Sequence, residues 1–119
     1  MTNIEFENLT GKLCWNEQGL IPVITQEIDG TVLMFAWMNA ISLRMTIEER
    51  VAVYFSRSRQ EIWRKGDTSG NKQELVSIHI DCDCDVVLIK VKQTGVACHT
   101  GMRSCFYRNI SEEGAFDHE

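Results

Sequence analysis

Five consecutive residues alternate strictly between carboxylate and thiol: Asp81, Cys82, Asp83, Cys84 and Asp85. Two further cysteines, Cys98 and Cys105, follow a short apolar run, and His99 stands directly beside the first of them. Carboxylates are hard oxygen donors suited to a cation such as Mg²⁺, which keeps coordination positions open for water or substrate phosphate. Thiolates are soft donors suited to Zn²⁺. On a strand, neighbouring side chains point to opposite faces. One segment could therefore present Asp81 and Asp83 to one metal and Cys82 to another.

An ideal strand would hold Asp81 and Asp85 roughly 13 Å apart, too far to share one ion. A common site for the three aspartates requires the chain to bend near Asp83. The spacing superficially fits an EF-hand loop, but Val86 and Lys92 stand where that loop needs glycine and glutamate. The alternative to a metal site is a solvated acidic strand end. Against it, three like charges repel and aspartate is disfavoured in strands.

Cys82, Cys84, Cys98 and Cys105 fall within 24 residues without forming the C-x-x-C knuckle of a structural zinc site. The spacing leaves open a structural four-cysteine site, small buried thiols, or a catalytic zinc with three thiolates and one open position. The last would lower the pKa of a bound water towards neutrality. His99 is then the natural proton carrier, since imidazole is the side chain suited to that task near neutral pH. His99 could equally pack beside the ligands, and His79, inside a strand pattern, reads as structural.

A third group is cationic. Arg57, Arg59, Arg64 and Lys65 are interleaved with Ser58, Thr68, Ser69 and Asn71 in the segment RSRQEIWRKGDTSGN. Concentrated guanidinium, ammonium and hydroxyl donors suit phosphate groups, and Trp63 could stack on a base. A solvated basic face and a core tryptophan are the plain alternatives.

The elements that must position these groups are short. IPVITQEI and TVLMFAWM flank Asp29 and Gly30, a two-residue hairpin signal. Asn39 can cap a helix that buries Ala40, Leu43 and Ile47. VAVYFS, ELVSIHI, VVLIKVKQ and SCFYRNI read as strands, with Val76, Ile78 and Ile80 on one face and the cationic segment as the connection before ELVSIHI. About six strands joined by local hairpins, with one or two short helices, predict a small α+β domain with a mostly antiparallel sheet. The expected domain spans residues 1–110, followed by a short, acidic, poorly ordered tail over 111–119.

Composition bounds the partners. The 119 residues carry 12 basic and 17 acidic side chains, a balance that argues against a general nucleic-acid surface. The N-terminal residues show no secretory pattern and no apolar run is long enough to span a membrane, so a cytoplasmic protein is expected. Five cysteines in such a chain are expected as reduced thiols, ligands or nucleophiles, not as a disulfide framework.

Taken together, YFSRSRQEIWRKGDTSGN, DCDCD and ACHTGMRSCF resemble the phosphoribosyl-AMP cyclohydrolase family of histidine biosynthesis. The likeness runs from about Trp15 to Tyr107 and includes VLMFAWMNAISL. The resemblance implies an intertwined, cytoplasmic homodimer that opens the adenine ring of N1-(5-phosphoribosyl)-AMP by adding water at C6 and breaking N1–C6. It implies one Mg²⁺ per subunit on Asp81, Asp83 and Asp85. It also implies one Zn²⁺ per subunit on Cys82, Cys98 and Cys105, with Cys82 coming from the other subunit and Cys84 left out. Val96 departs from the proline the family usually has before ACHTG.

The chemistry is akin to that of zinc deaminases, which add water to a base ring. Their H-x-E and P-C-x-x-C signature is absent, because Thr100 and Gly101 follow His99. A zinc-stabilised nucleotide-binding module without turnover is the reading from a different class.

Overall fold

In the computed structural model, which describes residues 1–117, two helices and eight strands form an α+β domain. Helix α1 (Asn3–Gly11) precedes β1 (Ile21–Glu27) and β2 (Val32–Met38). Helix α2 (Ala40–Glu49) leads into β3 (Val53–Ser56) and β4 (Glu61–Arg64), then β5 (Gln73–Ile80) and β6 (Val87–Gln93). A small hairpin of β7 (Asn109–Ile110) and β8 (Phe116–Asp117) ends the described chain.

The main sheet has the order β2-β1-β6-β5. Its outer pairs are antiparallel, as expected, but β1 and β6 run parallel, Val23 opposite Val87 through Glu27 opposite Val91. Local hairpins alone cannot make that pair, since everything from β2 to β5 lies between the two strands. Both are central, and their inward positions are fully apolar on β6 (Val87, Ile89, Val91) and nearly so on β1 (Ile21, Val23, Thr25). The opposite face of both strands is half-buried except at Lys92, so the parallel pair is covered, as such pairs ordinarily are.

The β1–β2 hairpin forms at the expected place with a longer loop. The Glu27 N–H donates to Thr31 O, so the loop is Ile28, Asp29 and Gly30, not two residues. Gly30 adopts φ +97°, and Asp29 Oδ1 accepts the Thr31 N–H at 2.9 Å. A turn closed by a residue in the left-handed region is the favoured three-residue hairpin connection.

Asn39 caps α2 as expected, in a reciprocal box with Ser42. The face it buries consists of Ser42, Leu43 and Thr46, with Ile47 and Ala40 half-buried. Thr46 is tolerated there because its hydroxyl accepts the Val53 N–H at 3.0 Å and donates to Ser42 O at 2.8 Å.

Three strand readings are corrected. The cationic connection contains β4, whose Glu61–Arg64 pairs with Ser56–Val53 around a turn holding Gln60 at φ +53°. Its charged flanks hid Trp63, which packs against the core. On β5, the register shifts between Leu75 and Ser77, so Gln73 and Leu75 are buried while Val76 and Ile80 are 41% and 36% exposed. An irregularity of this kind moves every following side chain to the other phase. Of SCFYRNI, only Asn109–Ile110 is strand. Helix α1 is the second of the one or two short helices expected, but nothing in the sequence reading placed it; no residue of it is buried, so it has no periodic apolar face to read.

The expected boundary after residue 110 falls inside the β7–β8 hairpin, which closes through Ser111 N–H to Ala115 O at 2.8 Å. His118 and Glu119, the end of the expected tail, lie outside the described residues.

A polar chain crosses the core. Tyr54, fully buried, hydrogen-bonds Thr25 Oγ1 at 2.7 Å and donates to Gln73 Oε1 at 2.6 Å. Gln73 Nε2 donates to Gln93 Oε1 at 2.8 Å, and Gln93 Nε2 donates to Thr94 O at 2.9 Å. Burial drives the phenol pKa far upward, so Tyr54 is neutral. Tyr54→Phe strips Gln73 Oε1 and Thr25 of a buried partner. The variant should lose about 1–3 kcal/mol in urea unfolding, and an unchanged midpoint would show that the chain is not satisfied as described.

Candidate active site

The aspartates occupy the connection from β5 to β6. Cys84 N–H donates to Asp81 O at 3.1 Å, closing a tight turn, and Cys84 takes the left-handed conformation at φ +60°. Asp81 Oδ1 then accepts the N–H groups of Asp85 at 3.0 Å and Val86 at 3.1 Å. The bend brings one oxygen from each of Asp81, Asp83 and Asp85 within 4.8 Å of the others, all exposed.

Local desolvation pulls the Asp81 carboxyl upward, but the two backbone donors prevail and its pKa lies below the ordinary value. Asp85 moves the other way, raised by its hydrogen bond with Asp81, by desolvation and by the charges of Asp81 and Asp83. Crowded anions of this kind are relieved by a shared cation, so the donor set fits Mg²⁺.

The thiols lie beyond the other end of β6, whose seven residues span roughly 20 Å. Ala97 and Arg103 pair across a loop, Ala97 N–H to Arg103 O at 3.0 Å, with Cys98 N–H donating to Met102 O at 3.2 Å. This loop is fastened to the β1–β2 hairpin. Cys105 N–H donates to Leu33 O at 2.7 Å, Ser104 Oγ donates to Val32 O at 2.7 Å, and Arg103 pairs with Asp29 at 2.9 Å. With its Arg103 bond and the Thr31 N–H, Asp29 is held at a pKa of about 2, the backbone bond being the larger cause.

Cys98 and Cys105 are neighbours, close enough for each thiol to shift the pKa of the other. Thr100 Oγ1 donates to Cys98 Sγ at 3.0 Å and is the first cause of a lowered Cys98 pKa; Lys65 adds to it. Cys105 is pushed up to about 11, first by desolvation and then by Cys98. Two neighbouring thiols become two thiolates when a divalent cation displaces their protons, so the pair fits Zn²⁺. Cys82 is exposed, and among the described residues it does not join them; the aspartates are the only cluster of three possible metal ligands. Cys84 is half-buried in the aspartate turn and accepts the Cys14 N–H at its carbonyl, 2.7 Å away.

His99 is exposed at the tip of the Cys98 turn, which Gly101 N–H closes on Cys98 O at 3.1 Å. His79 lies on exposed β5, its Nε2 at 2.9 Å from Ser77 Oγ.

A cleft of about 340 Å³ opens beside the thiol loop, lined by Arg59, Trp63, Arg64, Lys65, Thr68 and Ser69 among others. Arg57 is not in the lining; its guanidinium lies 4.5 Å from the Trp37 ring centroid. Asn71 is also absent from it, and supports the loop by accepting the Gln93 amide at 3.2 Å. Arg64 is held in a two-bond pair with Glu49 at 2.9 and 3.0 Å, which lowers the Glu49 pKa. Arg59 has a 3.3 Å pair with Glu61, and its side chain is 61% exposed against 41% for Arg64. Trp63 is half-buried against the core, its ring centroid 5.0 Å from that of Tyr54.

Sequence reasoning missed the Lys65 bond to the thiol loop and the support from Gln93. A polar residue at a strand end carries no sequence mark of such a role.

Comparison with known proteins gives the same assignment as the motifs. The model of the phosphoribosyl-AMP cyclohydrolase family matches residues 34–107, over half of the chain. A Marinobacter nauticus protein of that name is 59% identical over 100 residues, covering 82% of this chain and 72% of its own. One from Chloroherpeton thalassium is 56% identical over 102 residues, covering 85% and 73%. One from Gluconobacter oxydans is 50% identical over 111 residues, covering 93% and 71%. With its aspartate turn, its neighbouring cysteines and this degree of identity, the chain belongs to the phosphoribosyl-AMP cyclohydrolase family.

Proposed function

We propose that this chain performs the third step of L-histidine biosynthesis in the cytoplasm. It hydrolyses N1-(5-phosphoribosyl)-AMP at C6, opening the adenine ring and giving the phosphoribosyl-formimino-AICAR phosphate intermediate. The observation that carries the reading is the Cys98 and Cys105 pair on a loop tied, through the Lys65 bond to Ala97, to the wall of a cationic cleft. A two-phosphate nucleotide needs such a cleft in a protein of net charge −5.

Cys98 and Cys105 hold zinc, one ion per subunit, together with Cys82 of a second copy. Asp81, Asp83 and Asp85 hold Mg²⁺. Zinc, when bound, supplies Lewis-acid activation of water, and Mg²⁺ supplies charge neutralisation for phosphate or ring. Arg59, Thr68 and Ser69 have donors to offer a phosphate at the cleft. Trp63 bounds the space where the purine would lie. His99 takes a proton from the water that adds to C6 and returns it to N1 as N1–C6 breaks, so the ring opens with no other group lost.

A homodimer is supported by two features. Cys82 stands apart from the thiol pair, and Val32, Phe35, Ile41, Val76, Ile80 and Phe106 leave apolar surface exposed. Dilution below the dimer dissociation constant should therefore cost zinc and activity together. An active monomer retaining zinc would contradict the shared site.

The test of the reading is direct: purified protein with Zn²⁺ and Mg²⁺ is given phosphoribosyl-AMP, and ring opening is followed by ultraviolet absorbance. Turnover is expected with this substrate and not with AMP, whose N1 carries no ribosyl group. A metal-replete dimer without turnover would overturn the reading.

A further inference from the structure

Lys65 lines the cleft, and on charge alone it would be grouped with the phosphate donors. Its ammonium is already engaged. Nζ donates to the carbonyl of Ala97 at 2.6 Å, in a half-buried contact across 32 positions of sequence. Ala97 is 2% exposed, its own N–H is taken by Arg103 O, and the next residue is Cys98.

The backbone around Lys65 is fixed so that the side chain reaches this carbonyl. Lys65 N–H donates to Ala52 O at 3.1 Å. Gly66 follows at φ +88°, so close to the backbone of Asn71 and Lys72, just before β5, that an added Cβ would lie 2.5 Å from the Lys72 nitrogen. No larger residue fits without moving that backbone. The ammonium also lies 5.9 Å from the Trp63 ring centroid.

The start of the thiol loop has separate supports, Gln93 Nε2 to Thr94 O at 2.9 Å and Thr94 N–H to Lys72 O at 2.9 Å. Ala97 has no such bond from the sheet among those described. Lys65 is what joins the cleft wall to the residue before Cys98.

We infer that Lys65 is a positioning residue, holding the Ala97 carbonyl so that Cys98 keeps its place beside Cys105, and that it is not a phosphate ligand. This rests on the zinc role proposed above for the two thiols. An ammonium bonded to a backbone carbonyl 2.6 Å away adds positive charge beside the thiolates and fixes the loop that carries one of them. The neutral, equally long side chain of Lys65→Met would keep contact with Trp63 and lose the bond.

The test compares Lys65→Met, Lys65→Arg and Arg59→Met as zinc-loaded dimers. Zinc release to a chromogenic chelator at fixed pH is timed, and kcat and KM for phosphoribosyl-AMP are measured separately. Lys65→Met should release zinc about tenfold faster or more and lose kcat to a similar degree, with KM within about threefold of the parent. Lys65→Arg, which keeps charge and donor, should recover most of both. Arg59→Met should raise KM and leave zinc release unchanged.

A Lys65→Met variant with raised KM and normal zinc release would overturn the inference in favour of a phosphate contact, and one normal in both would overturn it outright. If the Met variant does not fold, Lys65→Gln, shorter and neutral, gives the same comparison: faster zinc release supports the tether and an unchanged rate overturns it. A parent protein that binds zinc but has no turnover would sink the proposed reaction, while zinc release would still decide the role of Lys65.

Discussion

Cys105→Ala is expected to remove zinc and turnover together while leaving the domain folded. Cys105 ties the loop to the sheet through its backbone N–H to Leu33 O at 2.7 Å, and alanine keeps that bond. Ser104 and Arg103 continue to fasten the same loop to Val32 and Asp29. What is lost is one of two neighbouring thiols. Loss of a direct ligand should exceed the roughly 10–100-fold cost in metal affinity typical of groups that only support ligands.

Metal content by mass spectrometry should thus fall to near zero with a normal far-ultraviolet circular dichroism spectrum. The binding-module reading expects otherwise, since metal that organises the fold takes the fold with it when it leaves. An unfolded Cys105→Ala protein would favour the module. A variant that keeps zinc would show that Cys105 is not a ligand.

His99→Ala has the second large effect, and it separates chemistry from binding. The imidazole is exposed at the tip of a turn held by Cys98 N–H to Met102 O, Gly101 N–H to Cys98 O and Thr100 Oγ1 to Cys98 Sγ, bonds that do not use the His99 side chain. Truncation leaves that turn intact. Zinc and magnesium content should be unchanged, KM nearly so, and kcat reduced by roughly 10²–10⁴-fold, the usual contribution of a positioned acid or base. Full turnover in this variant would remove His99 from the mechanism and leave proton transfer to water.

The parts of this protein legible in sequence are those set by local chemistry. Asn39 announces a helix because its side chain can satisfy a free N–H, and Gly30 announces a turn because it alone tolerates φ +97° there without cost. The aspartates announce a bend because a straight strand would hold them too far apart, and the chain does turn between Asp81 and Cys84.

What stayed hidden depends on residues distant in sequence. The parallel β1–β6 pair is a matter of topology, and nothing in IPVITQE names VLIKVKQ as its neighbour. The irregularity in β5 falls at Val76, so that Gln73 and Leu75 before it and Ile78 after it face the core while Val76 does not, a change of phase that period-two counting cannot see. Arg64 and Lys65, adjacent and alike in charge, part ways in space, one to Glu49 and the other to Ala97. A row of cations suggests phosphate; the fold reserves several of them for its own joints.

Two metals acting through one chain are the core of the proposed function, and the most direct measurement is metal depletion with separate restoration. The dimer is stripped with chelator, then assayed for ring opening of phosphoribosyl-AMP after adding Zn²⁺ alone, Mg²⁺ alone, and both. Turnover should vanish on stripping and return fully only with both ions, because the thiol pair and the aspartate turn are distinct sites with distinct donors. Undiminished turnover in the stripped protein would contradict the account at its centre.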